Sequence, residues 1–265
     1  MHPIERLRWV ARAGGADHGA LAGEAARALA GFANDPIALV TACRRIIDQR
    51  PTSGPMWWLA ASVLSSNDPR AAAVRCVTAL GDDPTAAALA YELPDDATVA
   101  VVGWPEHVGE AVVRRGDLHV LVVDSLGEGT GLVRRLAMAD TPADEVTPSH
   151  LAAAVSAADL VVLEASAFGP DGFLGITGSL ALAAVAREVG TEVWLTAGVG
   201  RGLSEPLWAA MSERLRVANA DAPWEADEEI VPLTLVDRVV GPKGLVAVAT
   251  AVGGIDTPAP PELRA

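Results

Sequence analysis

The sequence is short of cysteine, of positive charge and of long apolar runs, and each shortage removes a class of function. Its two cysteines, Cys43 and Cys76, form no C-x-x-C pair and no Cys/His cluster. No zinc site is therefore expected, and no other metal or cofactor is implied. Both cysteines lie in Ala/Val-rich helical patterns and read as small buried hydrophobes. Twenty Lys and Arg stand against 34 Asp and Glu, a formal net charge of −14. Nucleic acid and anionic membrane surfaces would be repelled, because non-specific affinity for them comes from basic side chains. A small anionic ligand stays possible, since one or two arginines in a cleft dominate locally. The longest apolar runs, such as 99–102 and 160–163, are strand-length and far below the ~18 residues of a membrane span. The first residues, Met1-His2-Pro3-Ile4-Glu5-Arg6, lack the architecture of a signal peptide. The expected location is cytoplasmic.

What remains is a globular composition, with 51% apolar and 20% charged residues over 265 positions. That length suits one large domain or two closely packed ones. There is no internal repeat. The first ninety residues are Ala-rich and carry apolar residues at three/four spacing over 4–13, 21–33, 36–49, 56–65 and 69–80, which predicts helices. Asn34-Asp35-Pro36 and Asn67-Asp68-Pro69 each place a capping residue before a proline at a first helical turn. Gly81-Asp82-Asp83-Pro84 ends one helix and starts another.

After Leu93-Pro94 the texture changes. Short β-branched runs at 98–103, 118–124, 159–164 and 192–196 alternate with helical patterns at 106–115, 131–139, 149–156, 177–189 and 204–215. Such alternation indicates a parallel sheet covered on both faces. The acidic stretch 220–229 reads as a solvated loop, 230–240 and 245–251 as late strand pairing, and the Pro-rich 257–261 as an extended, mobile tail. The expected fold class is α/β, with an N-terminal helical subdomain (1–93) followed by a Rossmann-like parallel sheet domain (94–265). Ligands in such folds gather at the carboxyl ends of the strands, which directs attention to the loops after Val102, Val123, Leu163 and Leu195.

Several segments could carry chemistry. In Arg50-Pro51-Thr52-Ser53-Gly54-Pro55 the proline forces Arg50 out of helical conformation. Thr52 or Ser53 can cap the following helix, leaving amides beside a guanidinium, a combination suited to phosphate and equally to an ordinary turn. The turn Asp124-Ser125-Leu126-Gly127-Glu128-Gly129-Thr130-Gly131 lacks the full G-x-G-x-x-G spacing, and Glu128 would oppose a phosphate. It reads as a strand–helix turn. Glu106 and His107, after the first strand, are candidates for an acid/base pair, although Glu106 is also favoured there by the helix dipole. Glu164 ends an apolar strand, where a site residue would sit. Thr177, Gly178 and Ser179 open a long helix with hydroxyls and glycine at its N-terminus, again anion-binding geometry. Of the seven tryptophans, Trp57, Trp58 and Trp104 could line a cleft or pack within the helical part.

These segments resemble a known family in its own order, from about residue 12 to 247. The stretch from Asp159-Leu160-Val161-Val162-Leu163-Glu164-Ala165-Ser166 to Gly178-Ser179-Leu180-Ala181 resembles the signature D-L-V-x-x-G-A-D … N-K-I-G-T-x-x-L-A. Arg50-Pro51-Thr52 is similar to its R-P-T-x-x-x-L motif, and the step into Asp124-Ser125 to its T-E-S-R-P. The closing segment is matched by 230–237 with Gly241-Pro242-Lys243-Gly244. The family joins the regulatory subunits of translation initiation factor two-B with the methylthioribose-phosphate and ribose-bisphosphate isomerases. The resemblance implies a helical domain on a Rossmann-like domain, a site between them, and a homodimer.

The carry-over is selective. Where the isomerases have a cysteine after the first sheet strand, this chain has Gly103-Trp104. Ser166 holds the place of their aspartate, Gly175-Ile176 that of their Asn-Lys pair, and Leu126 that of an arginine. Arg50 survives, and Arg12 matches an early arginine. Loss of one general acid/base typically costs ~10²–10⁴-fold in rate, so loss of two leaves negligible isomerase activity. The resulting expectation is an initiation-factor-two-B-like protein without catalysis. It would bind a phosphorylated sugar or nucleotide through Arg12, Arg50, Thr52, Ser53, Ser166, Thr177, Gly178 and Ser179, in a regulatory or interaction role. Two alternatives stay open. One is an isomerase rebuilt on Glu164, Glu106 or His107; a Glu164 carboxylate beside Arg50 would favour it. The other is a translation-initiation-factor-like protein that binds a protein partner.

Overall fold

The computed structural model describes residues 18–264. The helix expected over 4–13, and Arg12 with it, lie outside the described residues. Five helices come first: α1 (His18–Leu29), α2 (Pro36–Gln49), α3 (Gly54–Leu64), α4 (Pro69–Gly81) and α5 (Thr85–Glu92). Their caps are those the sequence offers. Asp35 Oδ1 accepts from the amide of Ala38 at 3.0 Å and Asp68 Oδ1 from that of Ala71 at 3.0 Å, each before a proline in the first turn. The first four helices bury one core. Leu21, Ala25 and Leu29 of α1 meet Leu39, Cys43 and Ile46 of α2, Trp57 and Ala60 of α3, and Ala72 and Cys76 of α4. Both cysteines are free and buried, and burial pushes the Cys43 thiol up to about 12. The short α5 packs elsewhere: Leu89, Ala90 and Leu93 lie in the core beneath the sheet.

The sheet is built from β1 (Thr98–Val102), β2 (His119–Val123), β3 (Ala143–Val146), β4 (Leu160–Glu164), β7 (Glu192–Thr196), β9 (Arg238–Gly241) and β10 (Gly244–Ala247), in the order β10-β9-β7-β4-β1-β2-β3. All neighbours are parallel except β9 and β10. Successive side chains alternate between two cores, as the pleat requires. Val99, Val101, Val120, Val122, Leu160, Val162 and Trp194 face α5, α6 (Glu106–Arg115) and α7 (Gly129–Met138). Ala100, Val102, Val161, Leu163, Val193 and Leu195 face α8 (Leu151–Ala157) and α9 (Ser179–Val189). Strand order reverses between β1 and β4, so the crevice at their carboxyl ends is the topological switch point.

The structure departs from the sequence reading in five places. The stretch after Glu164 is a hairpin, β5 (Ala167–Phe168) and β6 (Gly172–Ile176), turned by Pro170-Asp171. It pairs with β8 (Glu228–Pro232), so the end of the acidic stretch is a strand rather than a loop. β3 was not anticipated; its Ala-Asp-Glu-Val sequence makes an edge strand with no apolar alternation. Of the strand expected over 245–251, only the part up to Ala247 pairs, as β10; Val248–Gly253 is a short helix. The tail is not mobile. Thr257 Oγ1 donates to the Gly202 carbonyl at 2.5 Å, Arg44 Nε donates to the Glu262 carbonyl at 2.9 Å, and Leu263 is 1% exposed within the helical core. Among the described residues no helix is long and apolar enough to cross a membrane.

Leu263 therefore acts as an anchor for the C-terminal segment. Leu263→Ala is expected to lower the unfolding free energy by about 2–5 kcal/mol, as for other buried leucines. Chemical denaturation measures this, and a loss below ~0.5 kcal/mol would indicate a tail that does not pack.

Candidate functional site

Four charged side chains converge at the switch point, on the floor of a cleft of about 660 Å³. Glu164 ends β4, and its carboxylate caps α6. Oε2 accepts from the amides of His107 at 2.9 Å and Val108 at 3.3 Å. Oε1 lies 3.0 Å from His107 Nδ1 and 3.0 Å from Arg201 Nη1. Arg201, in the loop after β7, also donates to the Ala165 carbonyl, and its Nη2 is 3.1 Å from His107 Nδ1. On the far side of the ring His107 Nε2 is 3.3 Å from Asp83 Oδ2. Asp83 belongs to the turn between α4 and α5. It accepts from the amide of Val199 at 2.7 Å and from that of Thr85 at 2.9 Å. A side chain at Gly198 would come within 2.5 Å of Asp83 Oδ2 and 2.7 Å of His107 Nε2, so only glycine lets this loop close over the cluster.

The cluster is electrically balanced. Burial is the largest influence on His107 and favours the neutral ring. Hydrogen bonds to Asp83 and Glu164, with the Glu164 charge, outweigh both burial and the opposing charge of Arg201 and lift the imidazole to about 9. Burial likewise opposes ionisation of Glu164. The Arg201 charge and the His107 hydrogen bond overcome it and hold the carboxylate low, at about 2. Asp83 is also held at about 2, its burial outweighed by hydrogen bonds from His107, Thr85 and Val199. Two carboxylates therefore enclose two cations at neutral pH. Glu106, His107 and Glu164 present ligand atoms within 4.8 Å of one another, a spacing a metal ion could use. The Arg201 guanidinium already lies 3.0 Å from Glu164 Oε1, so a dication held by that carboxylate would meet a like charge.

The residues expected to form a site fall into two groups. Glu106, His107 and Glu164 come together here, with Glu106 and His107 lining the cleft. The cation beside Glu164 is Arg201, in the role weighed for Arg50. The hydroxyl-bearing group lies apart from the cleft lining. Arg50 closes α2 through its amide, which donates to the carbonyls of Ile46 at 3.0 Å and Ile47 at 3.1 Å. Ser53 is buried at the start of α3, and the first amide of that helix, Gly54, donates to the Ser166 carbonyl at 3.0 Å. Ser166 Oγ donates to Glu228 Oε1 at 2.6 Å, and Thr52 hydrogen-bonds the same carboxylate. The Thr177 amide donates to the Asp227 carbonyl at 2.9 Å. Gly178 takes φ +97°, which delays α9 to Ser179, whose Oγ donates to the Ile176 carbonyl at 2.6 Å. The next amide, Leu180, donates to Glu229 Oε1 at 2.9 Å. In the 124–131 turn Asp124 Oδ1 accepts from Gly129 at 2.8 Å, closing it as a strand–helix turn.

Sequence reasoning missed Asp83 and Arg201. Asp83 was read as punctuation between helices. Arg201 lies in Gly198-Val199-Gly200-Arg201-Gly202, in the loop after Leu195, and its three glycines were the available signal.

No protein-family model and no curated protein sequence matches the chain. Solved structures do. A translation initiation factor eIF-2B of Pyrococcus horikoshii OT3 superposes with a TM-score of 0.75 at 14% identity, covering 94% of this chain and 98% of that one. The eIF2B beta subunit of Chaetomium thermophilum gives 0.74 at 16% identity, covering 98% and 91%. A chain of the tetrameric eIF2B-beta2-delta2 complex of C. thermophilum gives 0.75 at 16% identity, covering 95% and 92%. The fold of this chain is that of the eIF2B subunits.

His107 gains its partners on folding, so its contribution to stability is complete below the unfolded value of 6.5 and is lost as pH rises to about 9. At pH 6, His107→Gln is expected to cost about 3 kcal/mol, the scale for breaking a buried charge pair. Urea unfolding of both proteins at pH 6 and pH 9.5 should show this gap narrowing. An equal gap at both pH values would contradict the charged state of the ring.

Proposed function

We propose that this chain is an eIF2B-like protein that binds a phosphorylated sugar or nucleotide in its cleft, without turning it over, in a regulatory or interaction role. The observation that carries the reading is the mixed lining of a cleft of about 660 Å³, within the ~300–1,000 Å³ range of small-molecule sites. Arg27 of α1 and Arg114 of α6 line it, with His107 and Arg201 at its floor. Arg27 and Arg114 pair with Glu24 and Glu110 of the same lining, so a phosphate would bind by exchanging with these carboxylates, and Asp83 and Glu106 suit the hydroxyls of a sugar.

The cluster supports binding without turnover. An imidazole held at about 9 is already protonated at neutral pH and accepts no further proton. Both Glu164 oxygens are engaged by amides, a guanidinium and an imidazolium, which leaves a poor base. Self-association belongs to the same reading, supported by the eIF2B-beta2-delta2 tetramer of the same fold. We take a homodimer as the assembly of this chain.

A thermal-shift screen against pentose phosphates, methylthioribose phosphate and purine nucleotides tests the reading. A ligand at ~100 times its dissociation constant stabilises by ~2.7 kcal/mol, which for a chain of this size raises Tm by roughly 2–4 °C per kcal/mol. The expected result is a shift with at least one phosphorylated compound, lost in Arg114→Ala, with no isomerised product. No shift with any compound would remove the ligand from the account, and turnover would restore the isomerase reading.

A further inference from the structure

The last residues of the chain run from the core of the sheet to the core of the helices. Ile255 packs against the core beneath α8 and α9, and Ala259 and Leu263 against that of α1 to α4. Thr257, Pro260 and Leu263 are the buried positions of this strap, each three residues from the last. That is the period of a polyproline II helix, and Pro260 lies close to its dihedrals, at φ −61° and ψ 139°. Among the described residues no backbone–backbone hydrogen bond joins 256–264 to another segment. The strap is held by its apolar contacts, by Thr257 Oγ1 on the Gly202 carbonyl at 2.5 Å, and by Arg44 Nε on the Glu262 carbonyl at 2.9 Å. A segment held in this way can open without breaking a helix or a sheet ladder.

Between its two ends the strap meets the loop that carries Arg201. A Cβ on Gly202 would lie 3.2 Å from both Ile255 Cγ1 and Phe168 Cε1, so glycine lets the strap and β5 close on the loop. The Phe168 amide donates to the Arg201 carbonyl at 2.8 Å, and the Leu203 amide to the Phe168 carbonyl at 2.8 Å. The same loop reaches the charge cluster. The Val199 amide donates to Asp83 at 2.7 Å, and Arg201 Nη1 lies 3.0 Å from Glu164 Oε1. Val199 and Arg201 also line the cleft. We infer that the C-terminal strap is a detachable latch on the cleft floor. Docked, it holds the 198–202 loop onto Asp83 and Glu164. Released, it frees that loop while the sheet and the helical core stay folded. The floor of the cleft thus answers to a segment that does not line it.

The test is amide hydrogen exchange, followed by NMR on the full-length protein, in wild type, Leu263→Ala and Leu39→Ala. Both leucines are buried in the helical core, and only Leu263 belongs to the strap. Release of the latch exposes Leu263 and leaves Leu39 in place. Leu263→Ala is therefore expected to speed exchange of the Val199, Phe168 and Leu203 amides by about tenfold or more, and Leu39→Ala by less than about threefold. The Val101 and Val122 amides of the central strands open only with the whole fold and should speed up in both variants. Loop amides that exchange at the wild-type rate in Leu263→Ala would overturn the inference. So would loop amides accelerated equally by both variants, since they would then open only by global unfolding. If either variant fails to fold by circular dichroism, Thr257→Val against Ile46→Val decides instead, with about threefold or more expected at the loop in the first and no change in the second. The measurement needs no ligand, so its outcome is independent of what the cleft binds.

Discussion

Glu164 holds together parts of the molecule that the chain brings from four places. It ends the central strand β4, caps the first turn of α6, pairs with Arg201 from the loop after β7, and fixes His107 so that the ring reaches Asp83 in the turn between α4 and α5. An uncompensated charge at this depth would cost several kcal/mol, and the cluster persists because each charge meets an opposite one and the remaining lone pairs meet amides. The glycines of the 198–202 loop follow from it. Gly198 closes on Asp83 and His107, and Gly200, at φ +76°, brings its backbone against Trp58 and Pro55 of α3. The attachment of the helical layer to the sheet and the floor of the cleft are thus one electrostatic object.

The same logic recurs at other helix starts. Carboxylates occupy helix N-termini at Asp35, Asp68, Asp124, Glu164 and Glu229, each accepting amides that would otherwise lack a partner. Each is favoured by the helix dipole, and together they account for part of the excess of acid over base. At the start of α9 the Leu180 amide meets Glu229, the Ser166 hydroxyl meets Glu228, and the cleft lining carries four basic and four acidic side chains.

The sequence made the framework legible where burial forces a simple pattern. Central strands β1, β2, β4 and β7 are covered on both faces and so appear as unbroken apolar runs, and the Asp-Pro steps announce α2 and α4. Edge strand β3 carries Asp and Glu, and the β5–β6 hairpin is too short and glycine-rich to leave a period. The tail looked mobile because proline content says nothing about a long-range anchor such as Leu263. The site was half legible for the same reason. Glu164, Glu106 and His107 lie at strand ends and first turns, which sequence locates well. Asp83 and Arg201 join them only through tertiary contacts across 81 and 37 residues from Glu164 (164 − 83 and 201 − 164), which no local pattern encodes. Thr52 and Ser166 stand in the sequence among several expected ligand-binding residues, whereas Glu228, which the Ser166 hydroxyl meets, lies in a stretch that reads as solvated loop.

The central claim is that Asp83 and Glu164, which do not touch, are coupled through a charged His107. A double-mutant cycle between Asp83→Asn and Glu164→Gln, measured by urea unfolding at pH 7, tests it most directly. The account predicts a coupling of about 1–3 kcal/mol, as for residues of one buried network, that disappears when the cycle is repeated in the His107→Gln background. Additivity within about 0.3–0.5 kcal/mol, the behaviour of independent sites, would contradict it.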